Sequence, residues 1–391
     1  MTHTEFWNTV AVIASVAVLG LVGSSRAQGY DLSWHTIGGG GSASSGAQVQ
    51  LVGTIGQADA GGLLNGGGFA LRGGFWPGVA AGPTGPTPTP TVTATPSVDV
   101  ASVRKCQAAI ANSSAAFVHT KLTALQKCEA KIVAGKFTGS CPEGDPKTAQ
   151  KIADSLRKLR DGIAKACGGK NKVCRVTDTG ADADMPRTAI GFPAVCPGFE
   201  GSCSNAIADR DCGDIATCLG CIGGAAVDQA IALYYDGTPA DPKALNACQQ
   251  AIGKNAVKLF TARSKVLRSC WGKVSSGKIP GPCPDVTKAE PAIAKATSQL
   301  KAAIAKACCG KNKTCNAADS GPDADFDPVT EIGFRTSCDS VTIPGGASCD
   351  GTISDMSGLL ACIDCVTHFN VGCVDAAQVP VLVMPYPAEC E

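Results

Sequence analysis

Two stretches of the chain carry the same amphipathic spacing. Cys106, Ile110, Phe117, Cys128 and Ile132 follow one another at intervals of 4, 7, 11 and 4, and Cys248, Ile252, Leu259, Cys270 and Val274 repeat those intervals. Such steps keep apolar side chains on one helical face. Asp99 and Asp241 suit the position before each helix, Pro242 suits a first helical residue, and Gly135 and Gly277 stand where a helix ends on a left-handed residue. A second helix is predicted from Ile152, Leu156, Leu159, Ile163 and Cys167, matched by Ile293, Thr297, Leu300, Ile304 and Cys308, with Gly168 and Gly310 marking its stop. Two such helices with a short loop between them form an antiparallel hairpin. A third helix is expected from Cys212, with Ile215, Cys218, Ile222 and Ala226 at helical spacing; LLACIDCVTHF is its counterpart.

The pattern before residue 98 is different. Tyr30, Leu32 and Trp34 alternate with polar neighbours, as do Val49 and Leu51, then Phe69 and Leu71, with Phe75 beyond, and glycine clusters separate them. Period-two alternation between glycine turns predicts half-buried strands. Residues 80–97 (AAGPTGPTPTPTVTATPS) are a Thr/Pro linker, extended and unable to form a core. Residues 9–23 are an uncharged apolar run followed by Ser25-Arg26-Ala27, which predicts a leader over residues 1–27 cleaved after Ala27. The eight residues before this run lack Lys and Arg, so retention as an anchor stays open. No later stretch is expected to span a bilayer.

Beyond residue 98 the chain is written twice. "IAKACGGKNKVC" at 163–174 returns as "IAKACCGKNKTC" at 304–315. Cys106, Cys128, Cys141 and Cys196 recur 142 residues later at Cys248, Cys270, Cys283 and Cys338. Cys167 and Cys174 recur 141 later, Cys203 recurs as Cys349, and the Cys218/Cys221 pair as Cys362/Cys365. The expected organisation is therefore a leader (1–27), a Gly-rich β module (28–79), a linker (80–97) and helical repeats over 98–240 and 241–391. The fold class is mainly α, two tandem disulfide-stapled helical repeats with a small N-terminal Gly-rich β segment.

Composition bears on compartment and partners. All 22 cysteines lie from Cys106 onward and aromatics make up 5% of the chain, so a core poor in large side chains is expected to be stapled in an oxidising compartment. A secreted, periplasmic or cell-surface location follows, with an extracellular or surface partner. A formal charge of +1 gives no footprint for nucleic acid. The string GTIGQADAGGLLNGGGFALRGGFWPG (53–78) resembles a short β module of exported multidomain bacterial proteins. That resemblance implies a secreted or surface context and no catalytic residue.

Helix geometry limits the disulfides. Cys106 and Cys128 are 22 residues apart, about 33 Å on one helix, whereas bonded cysteines need Cα atoms within roughly 7 Å. In a hairpin Cys128 reaches Cys141 at the turn, and Cys270 reaches Cys283. Cys106 reaches Cys167 or Cys174 at the open end, with Cys248, Cys308 and Cys315 their counterparts. Nine shared cysteines leave one needing a copy-specific partner. The expectation is Cys212 in copy one and Cys373 or Cys390 in copy two, with Cys309 a supplement.

Three kinds of chemistry invite a test. The CxxC pairs Cys218/Cys221 and Cys362/Cys365 lack the following His of haem attachment and the strand-to-helix setting of a redox pair, so each cysteine is expected to staple its helix to a separate partner. His368 shares a helical face with Cys362 and Cys365, but copy one has Gly224 there, so a metal triad is not a property of the repeat. "DTGADAD" (178–184) and "DSGPDAD" (319–325) offer Asp178, Asp182 and Asp184, then Asp319, Asp323 and Asp325, with Asp327 beyond, as hard oxygen donors for calcium. The distal Glu of an EF-hand loop is missing, and Asp also serves turns. GKVSSGK (272–278) has P-loop spacing but Ile279 in place of Ser or Thr, and the SxxK strings at 155–158 and 275–278 recur in neither partner copy. Beyond the leader the histidines are His35, His119 and His368. The reading is a non-catalytic structural, surface or binding protein; the alternative is metal binding or thiol redox chemistry.

Overall fold

The computed structural model describes residues 41–46, 49–54, 64–66, 69–71, 99–237, 243–383 and 385–391. The leader, the Tyr30–Trp34 alternation, His35, Phe75, the linker and the Asp241-Pro242 cap lie outside them. The chain divides into two units, Met1–Thr93 and Ala94–Glu391.

In the first unit, β1 (Gly41–Gly46) pairs antiparallel with β2 (Val49–Thr54), Gly46 facing Val49. β3 (Leu64–Gly66) pairs in the same sense with β4 (Phe69–Leu71). The alternating Val49 and Leu51, and Phe69 and Leu71, fall in β2 and β4.

The second unit is helical. α1 (Val100–Val133) starts at Asp99, whose carboxylate accepts the amides of Ala101 and Ser102, and it is followed by Gly135 at φ +65°. α2 (Pro146–Cys167) begins on proline after the cap Asp145. α3 (Arg187–Ile190) is a single turn, and α4 (Cys212–Tyr234) is capped by Asp211. α5 (Lys243–Ser275), α6 (Ala289–Cys308) and α7 (Met356–Gln378) repeat α1, α2 and α4, and a π-helical turn at Pro328–Ile332 stands for α3. α1 packs against α2 and α5 against α6 as hairpins. α4 covers α1 and α2, while α7 covers α5 and α6.

The two copies share one core. α1 packs on α5 and α4 on α7, each against its own counterpart. Phe199 of copy one lies 5.7 Å, centroid to centroid, from Phe369 of copy two, and both rings are buried. The exchange is reciprocal. Gly191 has φ +83°, and a Cβ there would stand 2.8 Å from Cβ of Val381, just beyond α7. Gly237, just beyond α4, backs onto the carbonyl of Ile332 in copy two. The repeated IGF string is thus a left-handed turn that receives the exit of the other copy's last helix.

α4 and α7 are long and apolar enough to cross a membrane, which the expectation of no later span did not allow for. Within this unit 61% of each apolar window is buried, because these helices have protein on most sides and are apolar nearly all round.

Candidate functional site

All cysteines of the second unit are disulfide-bonded. Cys128–Cys141 and Cys270–Cys283 close the hairpin turns with Cα atoms 6.0 and 5.9 Å apart. Cys106–Cys167 and Cys248–Cys308 tie the open ends at 5.0 and 4.9 Å. Each CxxC splits between partners: Cys218 to Cys196, Cys221 to Cys203, Cys362 to Cys338 and Cys365 to Cys349. A redox CxxC closes on itself, and these do not. The sulfurs beside His368 are likewise consumed, so no thiolate remains to join it around a metal.

The doubled cysteine is no supplement. In copy one Cys174 bonds Cys212, the first residue of α4. Its counterpart in copy two, Cys315, bonds Cys309 instead, and Cys373 and Cys390 bond each other. Met356 occupies the place of Cys212, so the partner of the loop cysteine moves from the start of one helix to the end of another. Gly168 caps α2 as expected, but in copy two the cap is Cys309, and Gly310 corresponds to Gly169. A Cβ at Gly169 would stand 2.2 Å from the carbonyl of Asp182, and one at Gly310 would stand 2.2 Å from that of Asp323. Glycine is required here by the close return of the loop.

The aspartates serve that return. Asn171 Nδ2 donates to Asp178 at 2.7 Å, and Asn312 Nδ2 donates to Asp319 at 2.7 Å. Asp323 accepts the Asn312 amide at 2.9 Å, while Asp182 is exposed. Asp184 is buried and accepts the amides of Cys212 and Arg175 at 2.9 and 3.2 Å; desolvation pushes its carboxyl up to about 6. Asp325 accepts the Asn316 amide at 2.7 Å, and desolvation raises its pKa too. Among the described residues, the potential ligand triads within 4.8 Å are Cys174, Asp184 and Cys212, and Cys309, Cys315 and Asp325. In each, both sulfurs belong to a disulfide. The three carboxylates of a loop do not gather into one shell.

A cavity opens where sequence reading had placed nothing. It holds about 320 Å³ between the first half of α1, the last half of α5 and the stretch 379–382 beyond α7. Ile110, Ile190, Phe192 and Val381 make its walls apolar. Trp271 donates its Nε1–H to the buried carboxylate of Asp375, and both residues line the cavity. Burial pushes the Asp375 carboxyl up to about 7, against the opposing hydrogen bond from Trp271. Arg104 and Arg268 stand in the same lining. Neither has a carboxylate partner among the described residues. Trp271 and Arg268 lie on the predicted face-bearing helix, yet the lining draws on three separated segments. A position-by-position comparison of the copies was the available signal: Trp271 replaces Glu129, and Arg268 replaces Gln126.

A second polar group lies in the core. Arg263 is buried, with Nε and Nη1 lacking partners among the described residues, and its Nη2 lies 3.6 Å from Asp364. Desolvation lowers the Arg263 pKa, and Asp364 opposes the shift. In copy one the same position is Lys121, which reaches the Gly224 carbonyl at 2.9 Å and Asp228 at 2.6 Å. This group fastens α5 to α7.

No family model, curated protein or solved structure matches the chain.

Proposed function

We propose that this is an exported, non-catalytic binding protein that holds a small, mainly apolar molecule in the cavity between α1, α5 and residues 379–382. The cavity carries the reading: it is concave, apolar, roofed by chain from both copies and furnished with a few polar groups, the usual composition of a small-molecule site. The disulfide frame supports it, since eleven bonds hold a body short of large side chains. Export accords with the apolar leader, the Thr/Pro linker and the cysteine density. On this reading the Gly-rich module and linker present the helical unit away from the cell or from a larger assembly.

The test is fluorescence titration of the oxidised full-length protein with the neutral probe N-phenyl-1-naphthylamine. One saturable site per chain is expected, and Val379→Tyr, which fills the cavity, should abolish it. Absence of saturable binding sinks the reading.

A further inference from the structure

The cavity has a filled counterpart in the same molecule. The shift of 144 residues that carries α4 onto α7 end to end carries Tyr235 onto Val379. The shift of 142 that carries Cys106 onto Cys248 and Cys128 onto Cys270 carries Ala111 onto Gly253 and Gln126 onto Arg268. The groove at the other end of the α1–α5 pair is therefore made of Gly253, Gln126 and Tyr235. There the Tyr235 ring is the occupant. It lies so near Gly253 that a Cβ would stand 2.2 Å from its Cζ. Its hydroxyl accepts from Gln126 Nε2 at 3.3 Å, and the residue is 8% exposed.

At the open end all three positions differ: Ala111 stands for Gly253, and its Cβ bars a ring from the place Tyr235 takes, while Arg268 stands for Gln126 and Val379 for Tyr235. Val379 has no ring to place, and the cavity opens beside it. Where Gln126 meets a phenol oxygen, the chain supplies the guanidinium of Arg268, with Arg104 nearby in the same lining. An arginine in place of an amide favours an anionic oxygen over a neutral one, and its planar fork matches the two oxygens of a carboxylate. The Trp271 and Phe192 side chains offer aromatic surface for a ring. Asp375, held by Trp271, would repel a second carboxylate, which leaves the arginines as the place for a ligand's negative end.

We infer that the cavity binds a small aromatic carboxylate, with its ring against Trp271 and Phe192 and its carboxylate at Arg268. The inference rests on the cavity being a ligand site, and goes further by naming the ligand class.

The experiment is calorimetric titration of the oxidised full-length protein with 1-naphthoate and with its neutral isostere 1-naphthamide. Naphthoate should bind one site per chain, at least about tenfold tighter than naphthamide, the scale of one charge-assisted contact. Arg268→Gln copies the filled groove, and should abolish the preference, bringing naphthoate and naphthamide to the same affinity. Tyr235→Val should open the second groove and raise the naphthamide stoichiometry from one to two. Equal affinities for the two probes in the wild type, or an Arg268→Gln variant that keeps the preference, overturn the acid assignment and leave the cavity standing. A Tyr235→Val protein that stays at one site overturns the argument from the filled groove. If neither probe binds and Val379→Tyr changes nothing, the cavity reading itself falls.

Discussion

His119 Nδ1 lies 3.4 Å from Thr261 Oγ1, and these residues hold the same position in the two copies, 142 apart. A residue that touches its own counterpart sits on a two-fold relation, as at the centre of an isologous dimer. The swapped contacts of Gly191 with Val381 and of Gly237 with Ile332 obey the same relation. The linked copies thus pack as a dimer would, and one copy alone would expose the faces of α1 and α4. Residues 98–240 expressed by themselves should elute as a dimer in size-exclusion chromatography with light scattering. A stable monomer would contradict the shared core.

The disulfides should differ in worth by the chain they close. Cys106–Cys167 spans 61 residues and Cys309–Cys315 spans 6. The loop-entropy relation gives about 4 kcal/mol for the first and about 2 kcal/mol for the second. Replacing each pair by alanines and comparing urea midpoints tests this. A larger loss from the short loop would mean that native-state packing, not chain entropy, sets the order.

Stability contributed by two buried carboxyls should fall as pH rises from about 4 to about 7. The Asp184 and Asp375 carboxyls titrate at about 6 and about 7 in the folded protein, above the ordinary 3.8. A raised folded pKa means the folded state holds its proton longer, so the stabilisation is complete below the ordinary value and is lost as pH passes the folded one. The loss should amount to a few kcal/mol at most, since each tenfold difference in proton affinity between the folded and unfolded chain is worth about 1.4 kcal/mol. Asp375→Asn keeps the Trp271 contact and should flatten the upper part of the curve. An unchanged slope between pH 6 and 8 in that variant would assign the titration elsewhere.

Arg263 and Asp364 should behave asymmetrically. Arg263 is almost fully buried while Asp364 keeps about a third of its side chain in water (6% and 32% exposed). Removing the acid leaves a buried, uncompensated guanidinium, so Asp364→Ala should cost about 1–3 kcal/mol, less than a fully buried pair because of that exposure. Arg263→Met removes the charge but keeps much of the bulk, and should be close to neutral. Denaturation of the two single variants and the double one measures the coupling. A larger loss from Arg263→Met than from Asp364→Ala would show that the pair is net stabilising.

Local rules reached far into this fold. Apolar intervals of 4, 7, 11 and 4 set the faces of α1 and α5, and Asp99 and Gly135 marked the ends of α1. The rise of a helix was enough to bar Cys106 from Cys128 and send Cys128 to Cys141, while Cys106 stayed open between Cys167 and Cys174. Cys212 was expected to take the odd cysteine of copy one, and it bonds Cys174; what lay outside local reach was the partner in copy two. Cys315 meets Cys309 because the loop folds back on the end of α6, and no periodicity encodes such a return. The cavity was also out of reach. Its lining joins α1, α5 and residues 379–382, which come together only because the copies exchange their helix exits.

Tyr235 gives the doubled architecture a division of labour. By seating its own side chain, one groove becomes permanent core and carries its share of stability with no outside help. The other groove is thereby released from structural duty. A substitution at Val379 or Arg268 alters what the molecule can hold, whereas the same change at Tyr235 or Gln126 loosens the body itself. Duplication has left one protein with one plugged groove and one open one, so selectivity at the open groove can drift while the plugged half keeps the frame in register.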